Sequence, residues 1–319
     1  MVEWYTREES EPSEEFGTVP SQRNVEQLLE KSFIVIDKPF GPTSNQVSSW
    51  IKKELNLHKT GHFGTLDPNA TGVLPVGING GTRIQRVLSQ SEKEYIFEAE
   101  LTQDRAKEDI EDVLKQFLGE NQQTPPEKSA VKKEERSREV YEIELLEKDG
   151  KKILGRVKCE SGFYVRVLID QIGDELDVAA DMNELRRTKQ GFLSEEDTCK
   201  IQDIVDAYHF YKGDGDEEKI RELVHPIENA VKDIPKVVVK DSAVNAVANG
   251  SKLGTAGISK LQGGISEGDM IAVMTLKGEL ICIADALMSS EEMFSEDGDA
   301  AAPETVHMKP EEYPKRWDQ

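Results

Sequence analysis

Hydrophobic and polar positions alternate in several distinct registers along this 319-residue chain. Phe33-Ile34-Val35-Ile36 is a short apolar run that predicts a buried strand, stopped by Asp37-Lys38-Pro39-Phe40-Gly41-Pro42. Thr43 or Ser44 then caps a predicted helix with Val47, Trp50, Ile51 and Leu55 on its apolar face. The glycine-rich stretch 61–81 predicts a loop with a short embedded apolar element. Residues 95–101 alternate as a strand, with Tyr95, Phe97 and Ala99 opposite Ile96, Glu98 and Glu100. An acidic helix with Ile110, Val113, Leu114 and Phe117 should follow. Residues 121–138 predict a loop with a basic cluster, before strands at 139–147 and 152–159. Segment 163–169 alternates, placing Tyr164, Arg166 and Leu168 on one face, and a helix is expected near 168–177. Residues 211–218 have linker composition. After Pro235 the texture shifts to short strands at 237–239, 270–275 and 280–284, punctuated by glycine turns, which predicts a small, separate, mainly β domain. Residues 1–24 are polar and acidic and predict an extended arm.

Charge alters this picture only when it is located. The formal net charge of −22 looks wrong for a nucleic-acid partner. Residues 1–30, 195–233 and 290–319 together carry 19 of those net negative charges, while the remaining residues hold 30 bases against 33 acids. An acidic chain therefore encloses a nearly neutral region in which basic residues can cluster. Cys159, Cys199 and Cys282 lack disulfide or metal spacing and fit a reducing cytosol. With neither a leader-like start nor an 18-residue apolar run, the sequence predicts a soluble cytoplasmic protein.

The candidate chemistry begins at Asp67. An Asp-Pro pair is commonly a helix entry and nothing more. Here, however, Gly61, Gly64 and Gly72 free the surrounding backbone for close approach to a ligand, and His62 offers a flat polar ring beside it. Arg166 would be half buried in its alternating segment. Such an arginine needs an acid, either a structural partner or Asp67, which it would keep ionised as a nucleophile requires. Tyr95 is either ordinary edge packing or a stacking surface for an extruded base. Basic groups at Lys52, Lys53, Lys59, Arg83, Arg86, Lys128, Lys132, Lys133, Arg136, Arg138, Arg186, Arg187 and Lys189 are solvated faces or a phosphate-binding surface.

These residues also carry a resemblance. Residues 36–44 (Ile-Asp-Lys-Pro-Phe-Gly-Pro-Thr-Ser), 61–68 (Gly-His-Phe-Gly-Thr-Leu-Asp-Pro) and 71–75 (Thr-Gly-Val-Leu-Pro) resemble motifs of the TruB/dyskerin pseudouridine synthases. Lys93-Glu94-Tyr95, Pro125-Pro126, residues 129–132, 162–166 and 185–188 follow in the order of that family. Residues 240–244, Gly250, Gly257, 268–269 and 274–277 resemble an archaeal PUA RNA-binding domain, and 313–317 fit the same group.

The resemblance implies an α+β fold: a mixed, mainly antiparallel pseudouridine synthase sheet with flanking helices, plus a small β-barrel-like PUA domain. It implies an acidic arm at 1–30 packing on the PUA domain, a catalytic domain at 31–234, the PUA domain at 235–290 and an acidic tail at 291–319, part of which completes the PUA domain. The implied activity is isomerisation of a flipped-out uridine in RNA, with no cofactor and no metal. By the resemblance Asp67 is the nucleophile, Tyr95 stacks on the base and can serve as general base, and Arg166 pairs with Asp67. His62, Gly64, Thr65, Leu66, Tyr164 and Leu185 would bind the substrate. Lys38, Lys132, Arg186, Arg187, Lys240, Gly250 and Gly257 would contact RNA. The implied partners are a guide H/ACA RNA, substrate rRNA or tRNA, and the small particle proteins: a zinc-ribbon-like subunit, a glycine-arginine-type β-barrel subunit and a kink-turn-binding ribosomal-like protein. A stand-alone tRNA pseudouridine-55 synthase and a non-catalytic RNA-binding scaffold are the alternatives. Phe63 departs from the small residue usual in the family and is expected to point away from the pocket.

Overall fold

The computed structural model describes residues 3–125 and 134–315. The chain divides into two compact units. One is built from Met1–Phe33, Gly77–Ile84 and Asp216–Gln319, the other from Ile34–Val76 and Gln85–Gly215. Expected residues 126–133, Lys132 among them, and 316–319 lie outside the described residues.

The second unit is organised on a mixed, mainly antiparallel sheet. Its strands run in the order Lys31–Lys38, Ala70–Asn79, Ala180–Gln190, Lys93–Leu101, Lys152–Cys159, Arg136–Asp149 and Gly119–Gln123. Ala70–Asn79 and Ala180–Gln190 pair in parallel, with Ala70 beside Leu185 and Gly72 beside Arg187. Lys93–Leu101 lies between two antiparallel neighbours, placing Tyr95 opposite Arg187 and Phe97 opposite Leu185. Tyr95 is therefore in the middle of the sheet, which removes the edge-packing alternative.

Three local expectations need correction. Within 61–81, the short apolar element is a ten-residue strand, Ala70–Asn79, whose residues 72–78 are all buried. Glycine and proline punctuation disguised it, because a strand covered on both faces shows no alternation. Segment 163–169 is not a strand: Val165–Glu175 is a helix with Tyr164 at its N-cap position. Its buried residues Val165, Leu168, Ile169 and Ile172 fall at helical spacing, which seven residues rich in aromatic and β-branched types cannot distinguish from alternation. Trp50 is 45% exposed, while Val47 and Ile51 are buried in the helix Ser44–Glu54. Thr43 caps that helix reciprocally with Gln46.

The first unit holds a seven-stranded sheet in the order Trp4–Thr6, Ile258–Gln262, Lys236–Val239, Met270–Met274, Leu280–Ala286, Asp299–Val306 and Leu253–Gly254. Lys236–Val239 and Met270–Met274 pair in parallel and the other pairings are antiparallel. The expected strands form, and a helix over Asp241–Ala248 that the turn-rich texture concealed packs Val244 and Val247 into the core. The acidic arm is anchored by specific bonds. Trp4–Thr6 adds a strand to Ile258–Gln262, Arg23 forms a two-pronged pair with Glu228 (2.9 and 2.8 Å), and Thr18 N donates to buried Glu279 (2.9 Å). The same Glu279 accepts from the hydroxyl of buried Tyr313 (2.8 Å). Among the described residues no helix is long and apolar enough to cross a membrane.

His307, 3% exposed, has no hydrogen-bond partner for either ring nitrogen among the described residues. Burial, helped by the nearby Arg83 and Lys31 charges, pushes its pKa down to about 4. The unfolded chain takes up this proton near pH 6.5, whereas the folded one refuses it until about pH 4. Stability due to His307 is thus complete above pH 6.5 and is lost progressively as the pH falls towards 4. Equilibrium unfolding between pH 7 and 4 should show an acid-side decline of order 2–3 kcal/mol, and His307→Phe should flatten it. An unchanged decline in the variant would assign it to other groups.

Candidate active site

Every component of the site lies in the second unit. The Asp67-Pro68 pair does not open a helix: Ala70 N donates to Asp67 O (3.0 Å), closing a tight turn that leads directly into the strand Ala70–Asn79. Aspartate followed by proline suits the first two positions of such a turn as well as a helix entry. The turn leaves the Asp67 side chain 58% exposed and bonded to Arg166 Nη2 at 3.0 Å.

Arg166 reaches Asp67 from the first turn of the helix Val165–Glu175. The start of that helix is fixed by Gln123, which is 3% exposed: its Oε1 accepts from Tyr164 N (2.9 Å) and its Nε2 donates to Tyr164 O (3.1 Å). The amide thus replaces a neighbouring backbone strand, and nothing in the spacing of Gln123 announces it. An ion pair as exposed as Asp67–Arg166 contributes only about 0–1 kcal/mol to stability. Its two supports are nonetheless each fastened by hydrogen bonds, so the pair defines a position more than it stabilises a fold.

The loop carrying Asp67 is fastened at several points. Ser44 Oγ accepts from Leu66 N (2.8 Å) and donates to Leu66 O (2.9 Å). Lys38, fully buried, donates to Pro39 O (3.0 Å), Pro68 O (3.3 Å) and Ala70 O (2.7 Å). Lys38 is consequently a structural tie and not the phosphate contact expected for it. Burial lowers its pKa, as does Arg187, while Asp67 opposes the shift.

Arg187 is corrected in the same way. It is 1% exposed and donates to Val73 O (2.7 Å) and Gly64 O (3.0 Å), with the Tyr95 hydroxyl as a third partner. Among the described residues no carboxylate pairs with it. Gly64 and Gly72 are needed at this guanidinium-bearing strand. At Gly72, with φ +96°, a Cβ would lie 2.2 Å from Arg187 O; at Gly64, with φ +113°, it would press on Gln190 and Arg187. Gln190, also buried, donates to Phe63 O and to Leu88 O (2.6 Å).

Tyr95 is 9% exposed, and burial raises its pKa despite the opposing Arg187 charge. It is a neutral phenol at neutral pH, poorly suited to act as a free base. His62, half buried, meets Asn45 Oδ1 at 3.1 Å, and burial followed by Arg187 lowers its pKa. Leu185 is half buried beside Ala70 and Phe97, and Thr65 is exposed. The Leu66 side chain is buried, so only its backbone positions the loop. Phe63 is 1% exposed, its ring inside the core and out of any RNA path.

Other expected RNA contacts are less available than their charges suggest. Arg186 bridges Asp37 (2.9 Å) and Glu195 (2.6 Å). Lys240 is paired with Glu8. Gly250 is exposed with φ +86° and open space above it, whereas Gly257 is packed against Ala243 and Leu253.

Residues 52–165 match the TruB family pseudouridylate synthase (N terminal domain), and 166–232 match the tRNA pseudouridylate synthase B C-terminal domain. Residues 235–303 match the PUA domain and 1–48 the DKCLD (NUC011) domain. The chain is 46% identical over 316 residues to the probable tRNA pseudouridine synthase B of Methanocaldococcus jannaschii, covering 99% of this chain and 94% of that protein. The chain belongs to the TruB family of pseudouridine synthases. Its α+β fold is that of the family's archaeal H/ACA members. The solved Cbf5–Nop10–Gar1 complex contains a chain with TM-score 0.93 and 45% identity, covering 99% of this chain and 97% of that one. An H/ACA ribonucleoprotein bound to a substrate RNA containing 2′-deoxyuridine contains another, with TM-score 0.92 and 43% identity, covering 99% and 98%.

Within this TruB-family site, Arg187→Lys should cost roughly 2–4 kcal/mol, because one ammonium cannot serve two carbonyls and a phenol placed around a planar guanidinium. Denaturant unfolding measures this directly. A variant as stable as the parent would show that the buried guanidinium does not hold the loop.

Proposed function

We propose that this protein isomerises uridine to pseudouridine in RNA, directed by a guide RNA within an H/ACA ribonucleoprotein, with Asp67 as nucleophile. The observation that carries the reading is the Asp67–Arg166 pair, held at 3.0 Å between a fastened turn and a fastened helix start. In the reaction the N1–C1′ bond of the target uridine breaks and a C5–C1′ bond forms. The proton on C5 leaves and N1 gains one, so atoms and electrons balance without an oxidant, a reductant or a group donor. Arg166 holds the Asp67 carboxylate in position. Tyr95 stacks on the flipped base and offers it a neutral hydroxyl, while His62, Gly64, Thr65, Tyr164 and Leu185 surround the nucleotide.

The particle reading is supported by the DKCLD match at 1–48 and by the near full-length likeness to chains solved in H/ACA complexes. By the same likeness, partners corresponding to Nop10 and Gar1 would join it, and the free, buried cysteines suit a cytoplasmic setting. Catalysis is assigned to 31–234 and RNA binding to the PUA domain at 235–290. The 1–30 arm and part of 291–319 complete that domain, a division supported by the outer strands Trp4–Thr6 and Asp299–Val306.

Asp67→Asn in the assembled particle should abolish pseudouridine formation while leaving RNA binding near the parental level. Arg166→Ala should slow the reaction by about 10²-fold or more through misplacement of the carboxylate. Both are read by mass spectrometry or chemical mapping of the product RNA. Activity retained in Asp67→Asn would overturn the assignment. Full turnover at tRNA position 55 alone, without guide or partners, would replace the particle by a stand-alone enzyme.

A further inference from the structure

Phe40 is 67% exposed, more so than any other large hydrophobic side chain among the described residues. Its exposure is imposed by its surroundings. Pro39 fixes the backbone on one side, and Gly41, with φ +110°, turns it sharply on the other. The turn is then bound to the Asp67 loop, since Gly41 N donates to Pro68 O at 2.8 Å and Lys38 Nζ donates to Pro68 O and Ala70 O. Ser44 adds its two bonds to Leu66 on the far side. Five hydrogen bonds therefore join residues 38–44 to residues 66–70. Standard backbone dimensions across the Gly41–Pro68 bond place the Cα atoms of Phe40 and Asp67 no more than about 11 Å apart.

An apolar ring held in water at a fixed distance from a nucleophile has no role in the core. Its neighbours also limit what it can bind: the adjoining cation, Lys38, is buried and tied to carbonyls, so the ring offers a flat apolar surface without a phosphate contact of its own. That combination suits the face of a nucleobase, which stacks on an aromatic ring whatever its identity. We propose that Phe40 is the stacking platform for a nucleotide flanking the target uridine in the substrate strand. It would be a positioning residue: by holding a neighbouring base it fixes the strand while the uridine is extruded towards Asp67. This inference rests on the proposed function.

The test uses the assembled particle with its guide and an RNA oligonucleotide substrate. Phe40→Ala should weaken substrate binding and raise KM roughly 5- to 100-fold, with a smaller change in kcat, and Phe40→Trp should restore both. Substrates abasic at the nucleotide 5′ or 3′ of the target locate the contact. At one of these positions the parent should fall to the level of Phe40→Ala, and Phe40→Ala should be insensitive to the missing base. 2-Aminopurine at that position should be quenched by the parent and not by the alanine variant. Unchanged KM with no coupling at either neighbour would overturn the proposal. So would Phe40→Ala failing only to retain a particle protein, which would make the ring a protein contact. Binding and quenching do not depend on turnover, so an Asp67→Asn variant that remained active would defeat the proposed function separately.

Discussion

A guanidinium buried without a carboxylate is the constraint around which the site is arranged. Moving such a charge out of water costs several kcal/mol even after relaxation, and unpaired it would not persist. Arg187 is stabilised instead by two backbone carbonyls and one phenol. Those carbonyls belong to Gly64 and Val73, on either side of Asp67, so the Asp67 loop must fold around the arginine for the charge to be tolerated. The glycines follow from this. A side chain at position 72 would collide with the Arg187 backbone, and one at 64 would crowd the guanidinium and Gln190. Loop shape, glycine placement and the buried charge form one interdependent arrangement.

The same charge shapes its neighbours' protonation. Burial is the leading cause of the lowered pKa of His62, Lys38 and Lys93, and Arg187 pushes each further down, Lys93 to about 7. Tyr95 is displaced upward by burial, with Arg187 opposing. Arg187 is therefore a permanent charge in this interior, and the pKa of each titratable group around it is shifted in the direction that favours its neutral form. Asp67 and Arg166 stand outside this interior, in water-accessible positions where a polar substrate can reach them.

How far this was legible in the sequence depended on the kind of signal. Val47 and Ile51 and the strand at Lys93–Leu101 announce themselves by period, since one face is more buried than the other. The strands after Pro235, buried on both faces, announce themselves as short apolar runs set between glycine turns. Ala70–Asn79 is covered on both sides and interrupted by Gly72 and Pro75, so it reads as loop. The start of the helix Val165–Glu175 carries Tyr, Val and Arg in an order that satisfies period two as well as 3.6, which hid the fact that Arg166 projects from a helix turn. The pairing of Arg166 with Asp67, 99 positions apart, was suggested only by the need of an arginine for an acid and by family likeness. Gln123 was invisible because an amide clamp on backbone has no spacing rule.

Basic residues were the least legible feature, for a physical reason. Lysine and arginine are assumed to face water because burying them is costly, and that assumption fails where backbone carbonyls converge. Lys38 and Arg187 became internal ties, and Arg186 and Lys240 are neutralised by acids of the same chain. Counting cations therefore overstates the surface available to phosphates in an acid-rich protein. Under the proposed function, recognition leans on geometry near Asp67 and on flat contacts to bases, with base pairing to the guide supplying the sequence information. A fixed aromatic ring beside Asp67 fits this demand better than another lysine, whose attraction to phosphate would extend equally to every position along the strand.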